Sequence, residues 1–326
     1  MSPAAGGGRG RGGSPRGGGR GVPSGRGGPP RSGKPLPSRT GRGAGAPGRD
    51  GSNRGGAPGR RGAGSDRDRP AKRGPEASGL GGDQVEGRQA VRELLSANRR
   101  PVKSLLMAEG MDQAAILNDI EALATQRRVK VSYVSRRRID MVARTEGPQG
   151  VVALARPVEE VSFEKLCEPT KSGRQPFLLV LDGITDPHNL GALLRSAECA
   201  GVTGVILPRH RSAHLSPTVA KVAAGAIEYL PMALVPGIPA TLQRLSTAGV
   251  WSVGLDGDAP TSLYQLPLGP EPVALVLGSE GTGLGALTRK RCDALASIPQ
   301  HGTLSSLNVA TAGAIACFDI ARRREG

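Results

Sequence analysis

Residues 273–324 read VALVLGSEGTGLGALTRKRCDALASIPQHGTLSSLNVATAGAIACFDIARRR, and the fold turns on how that stretch is parsed. An apolar strand run comes first, then a glycine-rich turn, then a second short strand. A polar step, Ser305-Ser306-Leu307-Asn308, leads into a final helix. Two loops of small residues thus follow two buried strands, and both can bring bare backbone close to a ligand.

The same alternation extends back to residue 177. FLLVLD (177–182) is an apolar strand, and NLGALLRSAECAG (189–201) is a helix ending at a glycine. TGVILP (203–208) is a strand. SPTVAKVAAGAIEYL (216–230) is a helix opening at Ser216, with Pro217 in its first turn. PMALV, a helix through Thr241 to Ala248, VWSVGLD and PVALVLG continue the pattern. Alternating strands and helices imply a mostly parallel sheet covered on both faces, with ligands bound outside the carboxyl ends of the strands. Three polar constellations fall at such ends: residues 182–197, 278–285 and 299–308.

Residues 83–157 form a smaller unit. VEGRQAVRELLSAN places Val91, Leu94 and Leu95 on one helical face, and VKSLLMAEG is a strand and turn. Ile116, Ile120 and Leu123 have helical spacing, VKVSYVS alternates as a strand, SRRRIDMVA is a short helix and GVVALARP a further strand. The expectation is a small α/β sandwich. Arginines recur at its element ends (99–100, 127–128, 136–138), which suits either solvated faces or an RNA-facing rim. Residues 158–176, rich in proline and charge, read as an interdomain linker.

The chain's net charge of +16 is concentrated at one end. Met1 to Pro75 carries 15 Arg and 2 Lys against 3 Asp, with no aromatic residue, so the rest is almost neutral. A segment so poor in apolar side chains cannot offset its ordering entropy, and residues 1–82 are expected to be a disordered Gly/Arg/Pro-rich tail. Mobile positive charge of this kind binds phosphate polymers by counterion release; a solubilising extension is the alternative. There is no signal-peptide core and no apolar run of membrane-spanning length, so a soluble cytoplasmic protein is expected. The four cysteines are scattered without a CxxC pair. They suggest neither a disulfide framework nor a metal site, and Cys199 and Cys317 read as small buried hydrophobes.

Gly281-Thr282-Gly283-Leu284-Gly285-Ala286 formally fits a dinucleotide fingerprint. Three features oppose that. Too little sheet follows it, no acidic residue lies some 20 positions on to hold a ribose, and Glu280 at the loop entrance would repel a pyrophosphate. An adenine-containing ligand without phosphate, wrapped by backbone amides and carbonyls, fits better.

DPHNLGALLRSA, LVLGSEGTGL and IPQHGTLSSLNVATAGAIACF resemble, in order, the three motifs of the SpoU/TrmH family of the SPOUT superfamily, the RNA ribose 2′-O-methyltransferases. The match spans residues 177–323. The preceding unit resembles the L30e-like substrate-binding domain of the branch that methylates a guanosine in the peptidyl-transferase region of 23S rRNA. GRQAV and PQGVVA stand there in place of the histidine-bearing patterns common in the family. A tRNA or resistance-type rRNA ribose methyltransferase is the alternative within the same chemistry.

The resemblance implies an α/β trefoil-knot domain over residues 177–326, S-adenosylmethionine as methyl donor with no metal, RNA as partner, no membrane, and a homodimer with its site at the subunit interface. It carries catalytic roles onto Asn189, Arg195, Glu280, Ser306 and Asn308, and donor contacts onto Gly278, Ile298 and Leu307. Asn189 can equally cap a helix. Asn189 and Arg195 are expected to face the same sheet edge, with Leu193, Leu194 and Ala197 making a buried rim around the arginine. Arginine side chains keep their proton in proteins, so a phosphate clamp that stabilises the forming alkoxide suits Arg195 better than a base.

Overall fold

A computed structural model describes residues 79–324 apart from 211 and 305. The expected tail lies outside the described residues as far as position 78. Its last four residues are already packed: Leu80 is buried, and the Gly82 amide donates to the Leu215 carbonyl at 2.7 Å.

The first lobe is built from β1 (Gln84–Glu86), α1 (Arg88–Ala97), β2 (Val102–Ala108), α2 (Ala115–Gln126), β3 (Val131–Val134), α3 (Arg136–Val142) and β4 (Val151–Ala155). Its sheet runs β1-β4-β2-β3, antiparallel except for the β2–β3 pair. Helix α1 buries Ala90, Val91, Leu94 and Leu95, the face anticipated from spacing. It stops at Asn98, whose left-handed backbone (φ 50°) returns its amide to the Leu94 carbonyl.

Strand β1 has no counterpart in the sequence reading, because two of its three residues are polar. Both Gln84 and Glu86 are nonetheless buried. The Glu86 carboxylate is saturated there: Oε1 accepts from the Arg144 amide (2.7 Å) and Gln84 Nε2 (2.8 Å), and Oε2 from Thr145 Oγ1 (2.5 Å). A buried charge with every acceptor site engaged avoids the desolvation penalty that an unpaired one suffers.

The expected linker is partly ordered into the second lobe. Ser162 caps the one-turn helix α4 (Phe163–Leu166) by accepting from the Lys165 amide at 3.2 Å, and Phe163 and Leu166 are buried in the second lobe's core.

The second lobe follows as β5 (Phe177–Asp182), α5 (Pro187–Cys199), β6 (Gly204–Pro208), α6 (Pro217–Val222), β7 (Met232–Val235), α7 (Ile238–Thr247), β8 (Trp251–Leu255), β9 (Val273–Gly278), α8 (Ala286–Arg291), β10 (Ala294–Ala296) and α9 (Val309–Arg324). All six strands are parallel, in the order β10-β8-β9-β5-β6-β7. Side chains alternate between two apolar layers. Leu179 and Leu181 face the layer holding α5 and α9, while Leu178 and Val180 face that of α4 and α7. Burial on both faces explains why β5 and β9 are unbroken apolar runs.

The single helix expected over 216–230 is interrupted. Helix α6 ends at Val222, Ala224 and Gly225 turn left-handed (φ 51° and 97°), and a 3-10 turn occupies Ala226–Glu228. The cause is tertiary: a Cβ on Gly225 would run into the Glu93 side chain of α1. Cys317 is buried as expected, but Cys199 is exposed at the end of α5. No described helix is long and apolar enough to cross a membrane.

Candidate active site

The loops after β8, β9 and β10 meet at the carboxyl edge of the large sheet around a cavity of about 520 Å³. That volume suits a nucleoside-sized ligand. Gly278 ends β9 against the returning loop, and a Cβ there would overlap the Gly283 backbone. The loop closes on itself through paired hydrogen bonds between Ser279 and Gly283 (3.1 and 3.0 Å), with Gly281 and Gly283 left-handed at φ 83° and 65°. Side chains at these glycines would strain the turn or fill the wall, so one side of the cavity is bare backbone.

The opposite wall comes from the segment entering α9. Ile298, Ser306, Leu307 and Asn308 line the cavity, as do Gly278 and Glu280 from the first loop. Six of the eight residues singled out from the sequence therefore meet at one place. Asn189, on the first turn of α5, joins them by hydrogen bonds. Its Nδ2 donates to Glu280 Oε1 at 2.6 Å, and its Oδ1 accepts from Asn308 Nδ2 at 3.0 Å.

Amide orientation propagates along this chain. Asn308 Oδ1 accepts from the Ala310 and Thr311 amides (2.9 and 3.2 Å), which caps α9 and turns its NH₂ toward Asn189. Asn189 must then present oxygen to Asn308 and nitrogen to Glu280. One helix cap thus fixes a carboxylate 28 positions earlier in the sequence. Asn189 is not the cap of its own helix: Asp186 is, accepting from the His188 amide at 3.0 Å.

Arg195 stands apart. It is exposed, does not line the cavity, and makes no hydrogen bond or ion pair among the described residues. Leu193, Leu194 and Ala197 are buried beneath α5, so the expected buried rim around the arginine is absent in the single chain. The expectation that Asn189 and Arg195 share a face fails on helical geometry: six steps of about 100° leave them roughly 120° apart.

The sequence reading also missed a third wall. Asp256 and Asp258, just past β8, line the cavity together with Arg289. Asp256 Oδ2 pairs with Arg289 Nε at 3.1 Å, and its Oδ1 accepts from the Asp258 amide at 3.0 Å. Their position just beyond a strand's carboxyl end was the available signal. With Glu280, these carboxylates favour a cationic ligand over a pyrophosphate, and a sulfonium-bearing nucleoside fits that donor set. The described residues hold no cluster of three or more His, Cys, Asp or Glu suited to a metal. Burial pushes the Cys292 and Cys317 thiols up to about 12, which keeps both protonated and unreactive.

Comparison with known proteins finds relatives of both lobes. The SpoU rRNA Methylase family matches residues 176–318, and an RNA 2′-O ribose methyltransferase substrate binding family matches residues 84–161. The 23S rRNA (guanosine-2′-O-)-methyltransferase RlmB of Pseudomonas putida is 42% identical over 247 residues, covering 74% of this chain and 97% of the relative. The RlmB of Escherichia coli K12 is 40% identical over 242 residues, covering 74% and 99%. Among solved structures, the AdoMet-bound rRNA methyltransferase of Sinorhizobium meliloti matches with a TM-score of 0.61 at 26% identity, over 73% of this chain and 86% of that one.

Proposed function

The chain belongs to the SpoU rRNA methylase family, and on that premise we infer that it transfers a methyl group from S-adenosylmethionine to the ribose 2′-hydroxyl of a guanosine in 23S rRNA. The observation that carries the reading is the hydrogen-bonded chain Asn308–Asn189–Glu280 at the mouth of a glycine-walled, acid-lined cavity.

The chemistry needs little beyond alignment and charge. The sulfonium of the donor would make its methyl carbon electrophilic, so the hydroxyl oxygen would have only to approach in line. The C–O bond would form as the S–CH3 bond breaks, the neutral thioether S-adenosylhomocysteine would leave, and the hydroxyl proton would pass to water. Backbone of the 278–284 loop, with Ile298 and Leu307, holds the donor. Glu280 has one oxygen taken by Asn189, and the other is available to accept from the ribose hydroxyl. Ser306 offers a further hydroxyl at the rim. Holding reactants at near-attack distance is the largest contribution available to such a site.

The finer architecture belongs to the same proposal. Residues 83–157 serve as an L30e-like RNA-binding domain, 158–176 as the connection and 177–326 as a trefoil-knot catalytic domain, with the Arg-rich residues 1–82 preceding both. Two copies pair through their knot domains, and Arg195 of the partner subunit reaches the cavity to clamp a substrate phosphate. This is supported by an Arg195 that is exposed, does not line its own chain's cavity and makes no hydrogen bond or ion pair among the described residues. The enzyme works in the cytoplasm, where ribosomes are assembled.

Mapping ribose methylation across 23S rRNA in a strain lacking the gene tests the substrate: one guanosine should lose its methyl group and regain it on complementation. Arg195→Ala should bind S-adenosylmethionine normally and fail to restore the mark. An unchanged methylation map would overturn the substrate, and full rescue by Arg195→Ala would remove that residue from the site.

A further inference from the structure

The two lobes are joined by a polar seam whose centre is a buried ion pair. Arg100, between α1 and β2, donates from Nε to Glu228 Oε2 at 2.8 Å and from Nη2 to Oε1 at 2.5 Å. The side chains are only 7% and 2% exposed. The remaining nitrogen, Nη1, donates to the carbonyls of Gly82 and Arg156, each at 2.5 Å. Those two carbonyls belong to the places where the chain enters the first lobe, ahead of β1, and leaves it, after β4. One guanidinium thus staples both crossing segments to the turn after α6.

The surroundings reinforce the staple. Tyr229 donates its hydroxyl to Glu93 Oε2 at 2.7 Å, and Arg99 Nη1 donates to the Tyr229 carbonyl at 3.1 Å. Lys221 Nζ donates to the carbonyls of Glu146 and Gly147 at 2.5 and 2.8 Å. Gly225 gives α1 the room to approach that closely. A flexible tether needs none of this. Burying a bidentate pair with carbonyl acceptors on the spare donor specifies one arrangement, because any other leaves charges desolvated and unpaired.

The seam also lies on a packed route to the reaction centre. Helix α6 presses on α5, where Gly191 leaves no space for a Cβ beside Val222. Two residues before Gly191 is Asn189, which orients Glu280. At the other end, the first lobe presents exposed arginines at 127–128 and 136–138.

We propose that Arg100 and Glu228 are a positioning pair for methyl transfer: the clasp fixes the span between the RNA-holding lobe and the donor cavity, so that bound RNA delivers one ribose to the site. The proposal rests on the methyltransferase reading above. It makes the seam a determinant of turnover rather than of ligand affinity. RNA held by a lobe that can swing still binds, but its target hydroxyl seldom meets the methyl group.

Arg100→Lys keeps the charge and cannot reach two carboxylate oxygens and two carbonyls at once. Tyr229→Phe removes one flanking hydrogen bond and no charge. Methylation of 23S rRNA by each full-length variant is measured against wild type, with active sites counted from the stoichiometry of S-adenosylmethionine binding in a calorimeter. Arg100→Lys should lower kcat per binding site about tenfold and Tyr229→Phe about threefold, while donor Kd and RNA KM stay within about twofold. A deficit that disappears once active sites are counted would reduce the clasp to fold stability and overturn the proposal. A rise in RNA KM at unchanged kcat would make the seam an RNA contact and overturn it equally. Wild-type turnover matched by both variants overturns the clasp alone, whereas a wild-type protein inert on 23S rRNA overturns the reading beneath it.

Discussion

Two polar clusters hang on the same pair of packed helices, and they are built in opposite ways. At the start of α5, neutral amides orient one carboxylate in a setting open to solvent. Beyond the end of α6, a full cation and a full anion are sealed from water with four donated hydrogen bonds around the guanidinium. The first cluster must admit and release ligands, so it cannot be sealed. Its order comes instead from a helix cap relayed through two side chains. The second never has to open, and low local dielectric strengthens every bond in it once all partners are present. Function requires that the open cluster stay adjustable and the closed one stay still.

The contrast predicts where damage will register. The largest effect belongs to the seam: Glu228→Ala leaves Arg100 buried without its counter-ion and should cost about 3–5 kcal/mol in urea unfolding. Next is Gly278→Ala, whose added methyl enters the backbone of the donor loop. Donor affinity should fall about 100-fold, or roughly 2.7 kcal/mol by calorimetry, with the circular dichroism spectrum unchanged. Asn189→Ala cuts the relay at its middle and should lower kcat by about tenfold, near the 1.5 kcal/mol of one hydrogen bond to a charged group, with donor Kd within about threefold. The exposed Lys165–Glu168 pair is the control. Glu168→Gln should shift unfolding by less than about 0.5 kcal/mol, because a solvated pair gains little over water. A seam variant that kept full stability, or an Asn189 variant that unfolded the chain, would erase the distinction.

Much of this was legible beforehand, for identifiable reasons. The strands FLLVLD and VALVLG are buried on both faces, so their apolar runs cannot be mistaken for half-exposed structure. Glycines at 278, 281 and 283 announce a turn whose backbone must come close to something. What escaped was set by tertiary context. Gln84 and Glu86 hide a strand because their polarity is satisfied by residues some 58 positions away. The break after α6 answers to Glu93 on another lobe, and nothing within residues 216–230 requires it. Arg100 and Glu228 are 128 positions apart, and each alone reads as a surface charge. Arg195 was assigned a buried setting from its neighbours' apolarity. That argument holds for the helix face below it and fails for the residue itself.

The Asn189–Asn308 hydrogen bond also has a temporal side. Its partners are separated by 119 residues of chain. At translation speeds of about 5–20 residues per second, that interval lasts roughly 6–24 seconds. For the first 91 of those residues Glu280 itself has not been made, and for the remaining 28 the Asn308 cap that orients Asn189 is missing. The relay is therefore among the last parts of the site to be completed during synthesis, and the cavity gains its ordered carboxylate only when Asn308 has been added.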